Sequence, residues 1–200
     1  MSNIPADHKE EPIRWYALWV YRSLVSPIMS MCSCDGVSYY RPMRLVERYT
    51  TGGVTYEEEA VLPNLLFVRA TGKYLSELKQ NSKNRGVAYC YPGTNVPMPI
   101  DDRSMQIFML VVKAGAHHME AVDLPIDKGD KVRVTDGIFK GAEGYIRRIH
   151  GSKRFVVAIE GVAAVAVTHV PRQFLERIAP LVSMHSDTSV ANQNIERNGL

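Results

Sequence analysis

Cysteine is scarce in this chain of 200 residues, with only Cys32, Cys34 and Cys90. An odd and sparse set excludes a disulfide framework, and one residue between Cys32 and Cys34 is poor spacing for zinc. His117 and His118 read as a solvated loop and complete no ligand set. No apolar run reaches the ~18 residues that a membrane-spanning helix needs. The opening MSNIPADHKEEP has neither the basic start nor the apolar stretch of a secretory leader, so a cytoplasmic location is expected. Gly-rich phosphate loops, nucleophile motifs and metal-ligand constellations are missing too. The carboxylate runs Asp101-Asp102 and Glu57-Glu58-Glu59 are explained by a helix cap and a solvated hairpin. Neither catalysis nor a cofactor nor a metal is expected.

Charge of one sign is also lacking: 24 Lys and Arg stand against 21 Asp and Glu, a net of +3. Its placement is uneven. Residues 13–125 carry twelve cations against ten anions, whereas residues 126–179 carry ten against six. That bias is compatible with nucleic-acid contact and does not establish it. A hydrophobic content of 46% with 22% charged residues suits a soluble globular chain, of one or two domains at this length.

Two blocks of different rhythm lie between polar ends. Residues 1–12 form a flexible segment, and residues 179–200 read as a disordered tail. In the first block, 13–115, Trp15-Tyr16-Ala17-Leu18-Trp19-Val20 has no turn former and suits a central strand buried on both faces. Ser26-Pro27 predicts a helix start, with Ser as cap and Pro at the first helical position, and Asp35-Gly36 its end. Residues 37–50 are strand-like, with Pro42 at an edge or bulge. Thr51-Gly52-Gly53 is a hairpin signal leading into residues 54–60. Residues 62–70 predict a buried strand, and Tyr74, Leu75 and Leu78 one face of a short helix. A strand over 86–91 follows. Asp102 then caps a helix with Met105, Phe108, Met109 and Val112 on one face and Gly115 as its stop. The order describes an α+β sandwich, an antiparallel sheet with flanking helices.

Residues 116–126 form a linker, and the second block, 127–178, changes character. Val132 and Val134 alternate with charged residues, Asp136-Gly137 marks a turn, and strands are expected over 144–149, 154–159 and 163–167. Short strands at this spacing predict a small closed β-barrel.

The pattern Gly129-Asp130-Lys131-Val132-Arg133-Val134, Asp136-Gly137, Phe139, Gly141, Gly144 closely resembles the KOW motif. Gly137 allows the tight turn, Phe139 plugs the barrel, and Gly141 and Gly144 permit bends that a Cβ obstructs. The first block adds Trp15-Tyr16, Leu62-Pro63-Asn64-Leu65-Leu66-Phe67-Val68 and Arg85-Gly86-Val87. In that order these resemble the N-terminal domain of the NusG family, and the resemblance covers residues 14–178. Tyr40-Arg41-Pro42-Met43 and residues 153–162 look most like UpxY-type proteins. Those are antiterminators of Bacteroidetes acting on long capsular-polysaccharide operons.

The resemblance implies a monomeric transcription elongation factor. Its front domain docks on the clamp helices of RNA polymerase's largest subunit through Tyr16, Trp19, Tyr40, Pro42, Met43, Pro63, Leu66 and Phe67. Strand alternation alone leaves open which phase faces outward. Contact with the non-template DNA strand falls to Arg22, Lys79, Lys83 and Arg85, with a solvated cationic face as the competing reading. Specialised antiterminators of the family carry a His-Thr-Thr element in the second helix; Leu75-Ser76-Glu77-Leu78-Lys79 stands there instead. On the barrel, Arg147, Arg148, Lys153, Arg154 and Glu160 are the candidate partner surface, the four cations facing RNA or the ribosome, with a plain solvated hairpin as the competing reading. The alternative is a KOW protein tied to translation through RNA or the ribosome, without polymerase.

In the housekeeping factor, an apolar Phe after the fourth barrel strand docks termination factor Rho, and Glu160 takes that place here. A carboxylate left unpaired in an apolar pocket costs a few kcal/mol, roughly 2–7 for a buried polar group. Weak or absent Rho binding is therefore the expected outcome of a pull-down against housekeeping NusG. Equal retention of Rho by the two proteins would contradict it.

Overall fold

A computed structural model describes residues 11–81, 86–90, 96–114, 120–122, 130–149, 151–159, 162–167 and 170–178. The front block holds β1 (Arg14–Val20), α1 (Arg22–Cys34), β2 (Ser38–Tyr40), β3 (Met43–Thr50), β4 (Gly53–Ala60), β5 (Leu65–Ala70), α2 (Gly72–Gln80), β6 (Val87–Tyr89) and α3 (Asp102–Ala114). Its main sheet is antiparallel in the order β2-β5-β1-β6, and β3 and β4 pair separately as a hairpin. β1 is the central strand the sequence predicts, with Tyr16, Leu18 and Val20 buried toward α1 and α2. Trp15 and Ala17 are buried on the opposite face with Phe67, Met105 and Phe108. The residues expected as one strand over 37–50 divide at Arg41-Pro42, since proline brings no N–H to a ladder.

Helix α1 departs from expectation at its start. It begins at Arg22, four residues before Ser26, without a side-chain cap at Tyr21, and holds Pro27 inside. Pro27 thus forfeits a hydrogen bond to the carbonyl a turn back, a cost of ~3 kcal/mol in an isolated helix interior. Burial of Val25, Ile28 and Cys32 along one face offsets it. The helix ends as predicted. Gly36 takes a φ of 68°, which a side chain disfavours, so that its N–H bonds Ser33 and the Val37 N–H bonds Cys32.

The other two helices are capped by acceptors. In α2 the Thr71 hydroxyl accepts from the Tyr74 N–H at 3.2 Å. The Glu11 carboxylate accepts from Gly72 and Lys73 at 2.9 and 3.0 Å, an anion on a helix N-terminus. In α3 the cap is Asp101, one residue earlier than expected, accepting from the Ser104 N–H at 2.8 Å. Asp102 is instead the first helical residue and pairs with Arg69 of β5 at 3.6 Å. Met105, Phe108 and Val112 are buried as expected, joined by Val111, while Met109 is only partly buried.

The back block consists of β7 (Glu120–Ala121), β8 (Asp130–Val134), β9 (Glu143–Ile149), β10 (Ser152–Ile159), β11 (Ala163–Val167), a 3₁₀ turn (Arg172–Phe174) and β12 (Leu175–Arg177). All pairings are antiparallel, in the order β12-β8-β9-β10-β11-β7. The expected closed barrel is not found. Among the described residues β7 and β12 are unpaired edges, and strands of two and three residues offer few backbone groups for a closing ladder. β7 also lies within the segment read as linker, where Ala121 pairs with Val165.

One apolar cluster runs through both blocks, from Trp15, Phe67 and Phe108 to Val132, Phe155, Val157 and Val165. Helix α3 joins them, touching β1 and β3 in front and β10 and β11 behind.

Gly144 on β9 marks the tightest approach in the back sheet. A Cβ there would run into the Val156 carbonyl oxygen and stand 2.8 Å from Phe155 Cε2. Gly144→Ala is expected to lower stability by about 1–3 kcal/mol. Gly52→Ala, whose Cβ meets only the Thr50 hydroxyl at 3.9 Å, should stay within about 0.5 kcal/mol. Urea denaturation of both variants checks this; equal losses would contradict it.

Candidate functional site

The docking residues expected on the front block divide sharply. Trp19 and Pro63 are exposed, and Tyr40 and Met43 are half-buried. Tyr16, Pro42, Leu66 and Phe67 are buried and present no surface. The reason is that the sheet is covered on both faces, so alternation places a residue toward one helix layer or another rather than toward solvent. Tyr16 and Leu66 point into the core under α1 and α2. Phe67 lies between Tyr40 and Phe108, with ring centroids 6.3 and 5.5 Å away. Pro42 is buried, and its carbonyl accepts from the Val61 N–H.

Register brings the accessible residues onto one face. Tyr40 lies opposite Phe67, Phe67 opposite Ala17, and Trp19 opposite Leu65. Directly opposed residues share a face, and Ala17 and Trp19 share one by alternation. Trp19 and Tyr40 are therefore two strands apart on the same side of the sheet. Trp19 is 48% exposed. Burial pushes the Tyr40 hydroxyl up to about 12, so it stays protonated and able to donate.

Of the cations expected near DNA, Arg22 is exposed at the start of α1. Lys79 of α2 lies 4.4 Å from the Tyr89 ring centroid, a cation–π contact that holds it to β6. Lys83 and Arg85 lie outside the described residues. Ser76, in the stretch that replaces His-Thr-Thr, donates to the Gly72 carbonyl within its own helix at 3.0 Å. Tyr74, placed on the buried face by the sequence, also donates to Asp35 at 2.8 Å and ties α2 to the end of α1.

On the back block the basic hairpin forms as expected between β9 and β10. Arg148 faces Lys153 and Arg147 faces Arg154 across the ladder. Arg148 and Lys153 are exposed, whereas Arg147 and Arg154 are half-buried. Glu160, with its implication for Rho, lies outside the described residues. No local pattern in the sequence shows that Arg172 and Arg177, some twenty residues further on, come back to this hairpin. Only the pairing of β12 with β8 brings them there.

Glu143 was not foreseen as a junction. Its carboxylate meets Arg133 at 2.8 Å, Lys131 at 3.8 Å and, from α3, Arg103 at 3.7 Å. The hydrogen bond from Arg133 is the main reason its carboxyl titrates below the usual glutamate range. Among the described residues no group of three or more His, Cys, Asp and Glu is gathered that could hold a metal. Cys32 is buried and Cys34 exposed, so the Cys-Ser-Cys pair is split between core and solvent. Burial pushes the Cys90 thiol up to about 12. Among the described residues, no helix is long and apolar enough to cross a membrane.

No family model and no curated protein matches the sequence. Among solved structures, the chain is similar to one of Thermotoga maritima NusG, described for its domain interaction. The identity is 19% over 83% of this chain and 97% of that one, with a TM-score of 0.44. At those values the likeness adds nothing about function, which rests on the residues described above.

The Glu143 junction makes a pH prediction. A carboxyl whose folded value is depressed stabilises the fold above its unfolded value, near 4.5, and loses that contribution as pH falls through the folded one. Partly exposed ion pairs are worth only about 0.2–1 kcal/mol. Glu143→Gln is expected to cost no more than about 1 kcal/mol at neutral pH and to flatten the loss of stability below about pH 5. Urea midpoints measured across that window check it; parallel curves for the two proteins would contradict it.

Proposed function

We propose that the chain is a NusG-family transcription elongation factor that acts as a processive antiterminator. Its front block docks on the clamp helices of RNA polymerase's largest subunit and suppresses pausing and termination. The UpxY-like segments point to a long polysaccharide-biosynthesis operon as its target. One observation carries the reading: the separated segments that resemble the family lie on adjoining strands. Trp15 and Tyr16 of β1 pair with Arg69 and Val68 of β5, and Val20 pairs with Val87 of β6. Segments dispersed over some seventy positions are thus parts of one surface-bearing sheet.

The docking face in this reading is the accessible subset, Trp19, Tyr40, Met43 and Pro63. A half-exposed indole on the same sheet face as a partly accessible tyrosine is the kind of anchor on which partner binding concentrates. Arg22 and Lys79 supply charge toward the non-template strand, positioning the protein without reading bases. The factor does no chemistry. Bound across the clamp, it favours the closed, elongating polymerase by its higher affinity for that state.

Transcription in vitro with purified polymerase tests the proposal. Added protein should shorten pauses and raise read-through. Trp19→Ala combined with Tyr40→Ala should weaken co-purification with polymerase by about tenfold or more, as loss of interface anchors does. Unchanged pausing and termination on every template would overturn the reading, and would leave the translation-linked alternative in its place.

A further inference from the structure

We propose that the β3–β4 ribbon carries a docking site for an arginine-bearing basic segment of a partner protein. β3 and β4 pair with each other and, among the described residues, with no other strand. The ribbon is anchored at its base, where Met43 to Val46 are half-buried, and every residue from Glu47 to Glu58 is exposed. Register gives this arm two unlike faces. Tyr49 lies opposite Val54, Glu47 opposite Tyr56 and Leu45 opposite Glu58, so these side chains share one face. Tyr49 is 81% exposed there and Tyr56 58%. The other face carries both cations of the arm, each engaged across the strands. Arg44 meets Glu59 at 3.4 Å and Arg48 meets Glu57 at 3.3 Å.

The ring face holds what recognises a guanidinium group. Glu47 accepts from the Tyr49 hydroxyl at 3.2 Å on Oε2 and from the Tyr56 hydroxyl at 3.4 Å on Oε1. Hydroxyl bonds to a carboxylate are ordinarily about 2.5–2.7 Å, so both are loose. One bond on each oxygen leaves further lone pairs to accept with. A carboxylate takes two parallel N–H bonds from arginine, whose planar head also lies flat against an aromatic ring. Charge decides the class of occupant. Residues 43–60 hold two cations against four carboxylates, and the register turns both cations away from the tyrosines. Bases would stack on the rings, but the phosphates between them would meet Glu47 and Glu58 with no cation on that face of the arm. An acidic segment meets the same repulsion. A purely apolar partner would strip water from Glu47 and give its charge no counterpart. A basic segment satisfies rings and carboxylates together. Arginine suits the site better than lysine, whose ammonium is a compact, strongly hydrated point charge.

This inference concerns the ribbon alone, so it stands or falls separately from polymerase docking through Trp19 and Tyr40. The test is fluorescence anisotropy on the full chain with a fluorescein-labelled peptide of alternating Arg and Gly. A peptide with Lys in place of Arg and a labelled oligothymidine serve as comparison probes. The arginine peptide should bind, and the lysine peptide should bind about fivefold more weakly. Tyr49→Ala with Tyr56→Ala should weaken the arginine peptide by about tenfold or more, and leave oligothymidine binding unchanged. Tyr49→Phe with Tyr56→Phe keeps the rings and should cost no more than about threefold. Glu47→Gln with Glu58→Gln should weaken the peptide by at least about tenfold. Glu77→Gln with Glu176→Gln makes the same charge change at exposed positions of α2 and β12 and should leave binding nearly unchanged. Absence of peptide binding, equal binding of the two peptides, or equal effects of the two glutamine pairs would each overturn the proposal. So would equal losses in the Ala and Phe pairs, or a loss of oligothymidine binding in the Ala pair that matches the loss of peptide.

Discussion

Phe108 stands with its ring 5.5 Å from that of Phe67, and the helix that carries it is where the two sheets meet. Helix α3 presents apolar residues over more than one stripe, Met105, Phe108 and Val112 with Val111 beside them. A helix so buried needs cover on more than one side, and one sheet cannot supply it. The front sheet and the back sheet share the task. The core is therefore continuous across two blocks whose rhythms differ in sequence. Polar contacts at the same seam, such as Arg103 with Glu143, are long and largely exposed on the arginine side, so apolar burial dominates the junction.

The strands and helices were legible where periodicity and burial agree. β1, α2, α3 and the strands from β8 to β11 follow from runs of apolar residues with turn formers between them. α1 misled because Ser26-Pro27 has the chemistry of a helix start, yet the helix accepts the proline internally and keeps its buried face. β7 and β12 were invisible since two or three residues carry no period. Barrel closure was expected from strand spacing, but spacing says nothing of which edges pair.

The candidate sites were legible in residue type more than in placement. Arg148 and Lys153 stand where a hairpin would put them, on the surface. Tyr16, Leu66 and Phe67 were mistaken for surface because a strand covered on both faces alternates between two interiors. Pro42 is buried although it follows the edge strand β2, since a residue beside a sheet edge can still be covered. Arg172 and Arg177 could not be grouped with the hairpin by any local pattern, since their approach is a property of the chain's return to β8. The β3–β4 hairpin illustrates the converse. Its Arg44–Glu59 and Arg48–Glu57 pairs are visible as cross-strand partners once the turn at Thr51-Gly52 is fixed. Its exposed Tyr49 and Tyr56 both donate to Glu47.

The strand order of the front sheet has a consequence for how the chain acquires its shape. β1 is synthesised before both of its neighbours, β5 and β6, which come from residues beyond 64. On leaving the ribosome, Trp15, Leu18 and Val20 must wait for half a hundred further residues before any partner strand exists. The back sheet is built differently, with β9, β10 and β11 each pairing with the strand just made. Loop closure over long separations slows folding, whereas neighbouring hairpins form early. The back block can zip as it emerges, while the front block assembles around a strand that has long been waiting.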